Sequence, residues 1–408
     1  MIDLDVLVFG GGGAGLLTLD TLRRAGWEAV LLESRALGSG QTVPSQGIIH
    51  GGGKYALRGV QDLEAVKAIR EMPRRWRDAI GGKGAPDLSG ARIVSETCLL
   101  WLPKGGFLSD VAAKGMMSIV VGAGLLSTKP VELPAEEWPE VLRASALRVY
   151  AMAEPVLDTR SVVEALAAPH GERIRLYDPA AGLAFDGGAV RLCSPALELR
   201  PRAIVFAAGE GNEGLLKARG VTGDLMQRRP LMMVLIRGPR LPELWGHCVV
   251  GGKTRLTVTT SRHSSGDVVW QVGGEISEKT AGATDLAAVR EQAAAEIRRW
   301  LPGADLAGAV IGTYPAVRAE SLRSDHRRPS GVQVHEVADA PPTIVAWPTK
   351  LALAPVLADE VLAHVSARLG RPAGYNPRLP DGRTPAAAAS PWEEAEWFPV
   401  PSAAQGSR

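Results

Sequence analysis

Six consecutive small residues, Gly10-Gly11-Gly12-Gly13-Ala14-Gly15, constrain this chain more than any other feature, because they fit G-x-G-x-x-G in a particular setting. Asp5 to Phe9 before them reads as a buried strand. Leu16 to Ala25 after them has helical periodicity, and Gly26 follows as a terminator. Ala29 to Leu32 is a second strand, ending at Glu33. Strand, glycine turn, helix and strand form a βαβ unit. Gly10 permits the tight turn, Gly12 lets the backbone approach a pyrophosphate, and Gly15 lets helix and strand pack closely. Gly13 and Ala14 open the helix, whose N–H groups and partial positive charge suit phosphates. Glu33 is placed to accept bonds from ribose hydroxyls, and its charge disfavours the extra phosphate of NADP. The plain alternative, a glycine-rich turn without a ligand, fits this context poorly.

The motif does not choose between FAD and NAD. A second match, Gly209-Glu210-Gly211-Asn212-Glu213-Gly214, also follows an apolar strand, Ala203 to Ala208. No strand ending in a ribose reader follows it at the right distance, and Glu210 and Glu213 would repel a pyrophosphate. It reads as a turn beside the first nucleotide.

Composition excludes other classes. The 408 residues are 46% hydrophobic and 22% charged with a net charge of +2, so a normal core can be buried and the chain is no polyelectrolyte. The basic clusters (Arg74, Arg75 and Arg77; Arg228 and Arg229; Arg327 and Arg328) are too short for a nucleic-acid face and read as solvated surface. Cys98, Cys193 and Cys248 are far apart, which supports neither a disulfide framework nor a zinc site, and implies reduced, mostly buried thiols as in a cytoplasmic protein. The longest apolar stretch, Met116 to Leu126, is too short to span a bilayer, and no targeting peptide is visible.

Helices are expected at Gln61 to Ala79, Glu136 to Arg143, Asp158 to Ala167, Asp285 to Leu301 and Pro355 to Leu369. Short strands are expected over Ile93 to Leu133, Arg173 to Leu199 and Met232 to Val272, and at Ile344 to Ala346. The fold class is α/β: a Rossmann-like nucleotide domain built discontinuously from residues 1–85, 140–227 and 330–370, with a β-rich lobe from 86–139 and 228–329. Residues 371–408 read as an irregular tail, with Trp392 and Trp397 as candidates to pin it to the surface.

Several segments together resemble the D-amino-acid-oxidase-like superfamily of FAD-dependent oxidoreductases. Gly10 to Glu33 resembles its N-terminus. Ser45-Gln46-Gly47-Ile48-Ile49-His50-Gly51-Gly52-Gly53-Lys54-Tyr55 is similar to the loop of FAD-dependent glycerol-3-phosphate dehydrogenases, where a Ser-rich stretch leads into Ile-His-Gly-Gly-x-Arg-Tyr. Glu154 to Leu166 resembles an Asp-capped helix of these proteins, and Ala203 to Gly209 their strand ending in Ala-Thr-Gly, with Ala208 in place of Thr. Pro348-Thr349-Lys350-Leu351-Ala352-Leu353-Ala354-Pro355 resembles a C-terminal segment that packs on the flavin. Lys54 stands where those dehydrogenases carry Arg, Pro348-Thr349 where they carry Gly-Gly, and their extra C-terminal helical domain is missing.

The resemblance implies FAD as cofactor and oxidation of a C–H next to a hydroxyl or amine, with hydride passing to flavin N5. Electrons would then go to O2 or a quinone-type carrier. It implies FAD contacts from Gly10, Gly12, Gly13, Ala14, Gly15, Glu33, Ser45, Gln46, Gly47, His50, Ala208, Gly209, Lys350 and Leu351. It places His50 near the isoalloxazine, where the imidazole either accepts a proton or simply hydrogen-bonds within the loop. Arg318, in Tyr314-Pro315-Ala316-Val317-Arg318-Ala319-Glu320, resembles the arginine that grips an anionic substrate, a carboxylate or phosphate; the alternative is a surface salt bridge, for instance with Glu320. Lys54 would add positive charge, and Tyr55 would stack or hydrogen-bond. Two rival readings are a flavin-dependent hydroxylase, for which Gly223-Asp224-Leu225-Met226 lacks the usual continuation, and a non-catalytic FAD-binding module.

Overall fold

The apolar run of strand Ile2–Phe9 is buried on both faces from Leu4 onward, as in a parallel sheet covered on both sides. A computed structural model describes residues 1–52, 63–104, 130–194, 196–325, 329 and 331–402. In it, Ile2–Phe9 pairs in parallel with Ala29–Glu33 on one side and Ala196–Phe206 on the other. Ile174–Leu176 extends the sheet beyond Ala29–Glu33, and Pro342–Trp347 lies beyond Ala196–Phe206, both parallel. Gln333–Asp339 closes that edge antiparallel.

Register places the site. Phe9 lies opposite both Leu32 and Phe206, and Phe206 opposite Val345. The central strands therefore end level, and the loops after Phe9, Phe206 and Trp347 emerge at one carboxyl edge. That is where open parallel sheets bind ligands. Helices Gly13–Arg24, Asp158-capped Thr159–Ala167 and Ala354–Leu369 cover one face through Leu16, Leu19, Val162, Leu357, Val361 and Val365, all fully buried.

Among the described residues, the second sheet has nine strands and is mostly antiparallel. Towards one edge runs the long pair Val310–Ser321 and Met226–Gly238, followed inward by Val268–Gly273, Lys253–Arg262 and Gly246–Val250. Helix Leu286–Trp300, capped by the Asp285 carboxylate, packs Ala293 and Ile297 into its core beside Trp101 and Trp270.

Three features depart from the expected organisation. Ala146–Met152 is a strand paired with Cys98–Pro103 in the second sheet, so this part of the 140–227 segment belongs to the lobe. Gln333–Asp339, polar and interrupted by a bulge, was not expected as a strand, and an edge position tolerates both features. The tail also has order. The N–H of Leu37 donates to Ala386 O at 2.8 Å, and Ala388 N–H to Leu37 O at 2.9 Å. Further on, Phe398–Pro399 pairs with the 310–321 strand, and the guanidinium of Arg237 lies 4.6 Å from the Trp397 ring centre. The tail thus runs across both sheets. The thiols are free and mostly buried, as expected: Cys98 and Cys248 are buried and Cys193 is exposed.

Candidate active site

The glycine turn is packed to the limit of what backbone allows. Gly10 has φ 106°, and a β-carbon there would stand 2.5 Å from the Cα of Ala208. A β-carbon on Gly15 would stand 1.8 Å from the Gly10 carbonyl oxygen. Gly12 differs: its backbone is extended, and the nearest atom to an added β-carbon is Thr42 Oγ1 at 3.3 Å. The fold therefore needs glycine at 10 and 15 but leaves room at 12, where only something approaching from outside would be obstructed. Helix Gly13–Arg24 has no acidic residue in its first turn and no side chain capping from Gly12, so its positive end is not neutralised there. The Gly13 N–H donates to Thr42 Oγ1 at 2.9 Å.

Glu33 accepts from the backbone N–H of Gly11 through Oε2 and from those of Ser34 and Arg35 through Oε1. The carboxylate is 9% exposed and braces the turn from the end of the neighbouring strand. A carboxylate offers about four acceptor positions, so these three bonds leave capacity for a hydroxyl.

Ala208 and Gly209 follow the 196–206 strand directly beside Gly10, with the Ala208 N–H held by the buried Asn212 Oδ1 at 2.8 Å. On the other flank, a β-carbon on Gly13 would meet Leu351 Cδ1 at 3.1 Å. Lys350 and Leu351 lie where the last central strand leads into helix Ala354–Leu369. Thr349 has φ 60°, which costs a β-branched residue of order 1–3 kcal/mol. Among the described residues it is the sole non-glycine with positive φ, and it stands on this edge.

The loop over 42–51 joins the two sheets. Ser45 Oγ donates to Thr42 O, and Gly47, with φ 68°, leaves no room for a β-carbon against the Leu157 carbonyl oxygen 2.2 Å away. Gln46 Nε2 crosses to the second sheet, donating to Gln271 O at 2.9 Å and Thr257 O at 3.1 Å. Beside it, Gln271 Nε2 and Tyr314 Oη both donate to Pro44 O, at 2.6 and 2.9 Å. Burial pushes the Tyr314 phenol far above its usual value, which keeps it protonated as a donor.

His50 ends this loop with its side chain 19% exposed. Its Nδ1 lies 3.0 Å from Glu154 Oε2, and Glu154 Oε1 accepts the Gly51 N–H at 2.7 Å. Glu154 is 3% exposed. The fully buried His247, on strand Gly246–Val250, lies with its ring centre 5.5 Å from that of His50 and its Nδ1 2.9 Å from Thr257 Oγ1. One histidine thus comes from each sheet's side of the junction, with a carboxylate between loop and lobe. The proximity of these ligand atoms could also hold a metal ion.

Against known proteins, residues 5–346 match the family described as "DAO: FAD dependent oxidoreductase". The chain belongs to the DAO family of FAD-dependent oxidoreductases. It is 38% identical over 397 residues to the probable FAD-dependent oxidoreductase PA4991 of Pseudomonas aeruginosa, covering 97% of this chain and 98% of that protein. The crystal structure of PA4991 superposes with a TM-score of 0.80 at 35% identity, covering 96% of this chain and 98% of the other. Glycine oxidase from Geobacillus kaustophilus has the same fold at 15% identity (TM-score 0.65, 90% and 96% covered). So does L-α-glycerophosphate oxidase from Mycoplasma pneumoniae with FAD bound, at 13% identity (TM-score 0.64, 90% and 95% covered).

FAD is the cofactor of this DAO-family oxidoreductase, and the glycine turn fits a pyrophosphate through its helix end and the backbone room at Gly12, while Glu33 keeps acceptor capacity for a ribose hydroxyl. The second G-x-G-x-x-G is a short 3-10 turn and helix Asn212–Ala218 in which Glu210 and Glu213 both pair with Arg228. Arg318 donates to Glu278 Oε1 at 3.1 Å, whereas Glu320 lies 3.5 Å from Arg229 Nε. Glu278 is thus a salt-bridge partner of Arg318. Lys54 and Tyr55 lie outside the described residues. Thr42, Glu154, His247, Gln271 and Tyr314 were missed from sequence. Single polar residues far apart in the chain carry no periodic or motif signal; for Glu154 and Tyr314 alone there was one, since each heads a segment already matched to the family.

Proposed function

We propose that this DAO-family protein oxidises a C–H next to a hydroxyl or amine on a small molecule bearing a carboxylate or phosphate. Bound FAD supplies the two-electron acceptor. We assign FAD binding to Gly10, Gly12, Gly13, Ala14 and Gly15 at the pyrophosphate, Glu33 at the ribose, and Ser45, Gln46, Gly47, Ala208, Gly209, Lys350 and Leu351 around the remainder. His50 takes the hydroxyl or amine proton as the C–H bond is broken, and Arg318 exchanges Glu278 for the substrate anion. Lys54 and Tyr55 join this group by their place in the motif.

One observation carries the reading: His50 stands at the junction of the two sheets, braced by a buried carboxylate, at the end of the loop that Gln46 ties to the lobe. A proton acceptor needs a fixed orientation and access, and partial exposure with a buried partner supplies both. The neighbours named above act on glycine and on glycerophosphate, both small molecules that bear a carboxylate or a phosphate.

Anaerobic addition of amino acids, 2-hydroxy acids and polyol phosphates to the yellow protein tests this. Bleaching by at least one anionic substrate is expected. Bleaching by neutral molecules alone would refute the substrate assignment, and no bleaching across the panel would favour a non-catalytic FAD module. Reoxidation by O2 against a quinone then identifies the acceptor.

A further inference from the structure

The two oxygens of Glu154 serve different donors. Oε1 accepts the Gly51 N–H at 2.7 Å, and Oε2 faces His50 Nδ1 at 3.0 Å. An ionised carboxylate only accepts, so the hydrogen of this second bond lies on His50 Nδ1. The nitrogen that gains and loses a proton is then Nε2. We infer that Glu154 is a positioning residue that holds His50 as the Nδ1–H tautomer and stabilises the imidazolium formed when Nε2 takes the substrate proton. This rests on the reading of His50 as proton acceptor. In the step, the substrate O–H or N–H bond breaks, its proton goes to Nε2, and the hydride leaves the adjacent carbon for the bound FAD.

The geometry offers an unusually clean substitution. In Glu154→Gln the side chain keeps its shape but gains an NH2. The Gly51 N–H can only donate, so the amide oxygen is needed there. The NH2 is then turned onto His50 Nδ1, which must become the acceptor, and the hydrogen moves to Nε2. A base in the wrong tautomer cannot take the proton at Nε2. In Glu154→Asp the acceptor chemistry survives, with a shorter arm.

Two measurements decide it. Nitrogen-15 histidine spectra, with His50 assigned by its loss in His50→Asn, read the tautomer without any substrate. Nδ1–H is expected in the wild type and Nε2–H in Glu154→Gln. Wild-type Nε2–H, or no change in Glu154→Gln, overturns the inference whatever the enzyme oxidises. With a substrate from the panel, the limiting rate of flavin bleaching should fall about 10²- to 10⁴-fold in Glu154→Gln. Substrate affinity and FAD content should stay unchanged, and Glu154→Asp should recover part of the rate. A correct tautomer switch without rate loss refutes the proton-acceptor reading of His50 and leaves the tautomer assignment standing. Stoichiometric metal that copurifies with the wild type and is lost in Glu154→Gln would give the His50–Glu154–His247 cluster to a metal and overturn the inference.

Discussion

Gly15 stands so close to Gly10 that a β-carbon on it would lie 1.8 Å from the Gly10 carbonyl oxygen, whereas one on Gly12 would touch nothing nearer than Thr42 Oγ1 at 3.3 Å. The two glycines therefore fail differently. Gly15→Ala should destabilise the protein itself, by ~1–3 kcal/mol or more, because helix and strand must separate. Gly12→Val should leave the FAD-free protein within about 1 kcal/mol of wild type, as for other changes at a helix N-cap, while abolishing FAD retention. Absorbance at 450 nm and thermal unfolding of FAD-stripped protein measure both. A Gly12→Val protein that stays yellow would show that the pyrophosphate does not approach there.

Gln46 ties its loop to two carbonyls of the second sheet. Gln46→Ala removes both bonds and leaves the acceptors in a partly buried interface, at a cost of ~1–3 kcal/mol. The thermal midpoint should fall by several degrees, and FAD should dissociate faster. Gln46→Glu should be worse than Gln46→Ala, since a carboxylate cannot donate to a carbonyl. Equal stability of Gln46→Glu and wild type would mean that these bonds do not hold the sheets together.

Arg318 and Glu278 form a pair with side chains 30% and 57% exposed, a class worth about 0–1 kcal/mol. If that pair were the arginine's whole role, Arg318→Ala and Glu278→Ala would behave alike. Substrate binding predicts that Arg318→Ala alone raises KM, about 30-fold or more for a lost charge-assisted contact of ~2–5 kcal/mol. FAD content should be unchanged and Arg318→Lys should rescue only in part, because a point charge does not replace the planar fork. Normal turnover in Arg318→Ala removes it from the site.

Of the three thiols, Cys193 is exposed, while burial pushes Cys248 up to about 12. A raised value leaves less thiolate at any pH below it, so Cys248 reacts slowly at pH 8 for want of both access and nucleophile. A thiol-reactive chromogen should label about one cysteine in the native protein and all three after denaturation. Cys193→Ser should abolish the native labelling without affecting FAD.

The glycine turn and its brace at Glu33 were legible because their physics is local. Gly10, Gly15 and Glu33 lie within one βαβ unit, and strand, turn and helix must each appear in order for any one of them to matter. The family motifs around His50 extended that reading to the cofactor. His247, brought in by sheet pairing, and Thr42, on a loop, were out of reach because each is a single polar residue with no spacing to betray it, whereas Glu154 headed a segment that the family resemblance already covered. The Ala146–Met152 strand was missed for a related reason: its burial does not strictly alternate. Composition similarly understated the tail, which is proline- and alanine-rich yet held by Leu37, the 310–321 strand and Arg237.

The central sheet sets an order in time as well as in space. Strand Ile2–Phe9 is synthesised well before its partner on one side, Ala196–Phe206, and that strand in turn pairs with the still later Pro342–Trp347. Contacts so distant along the chain form late and slowly. The floor of the cradle, Ala208, and its flank, Leu351, are likewise contributed long after the glycine turn they press against. A growing chain thus carries the glycine turn long before the segments that pack against it, Ala208 and Leu351, have been added. FAD should therefore stabilise only chains that include residue 351, and abundant FAD should not protect fragments that stop short of it from proteolysis.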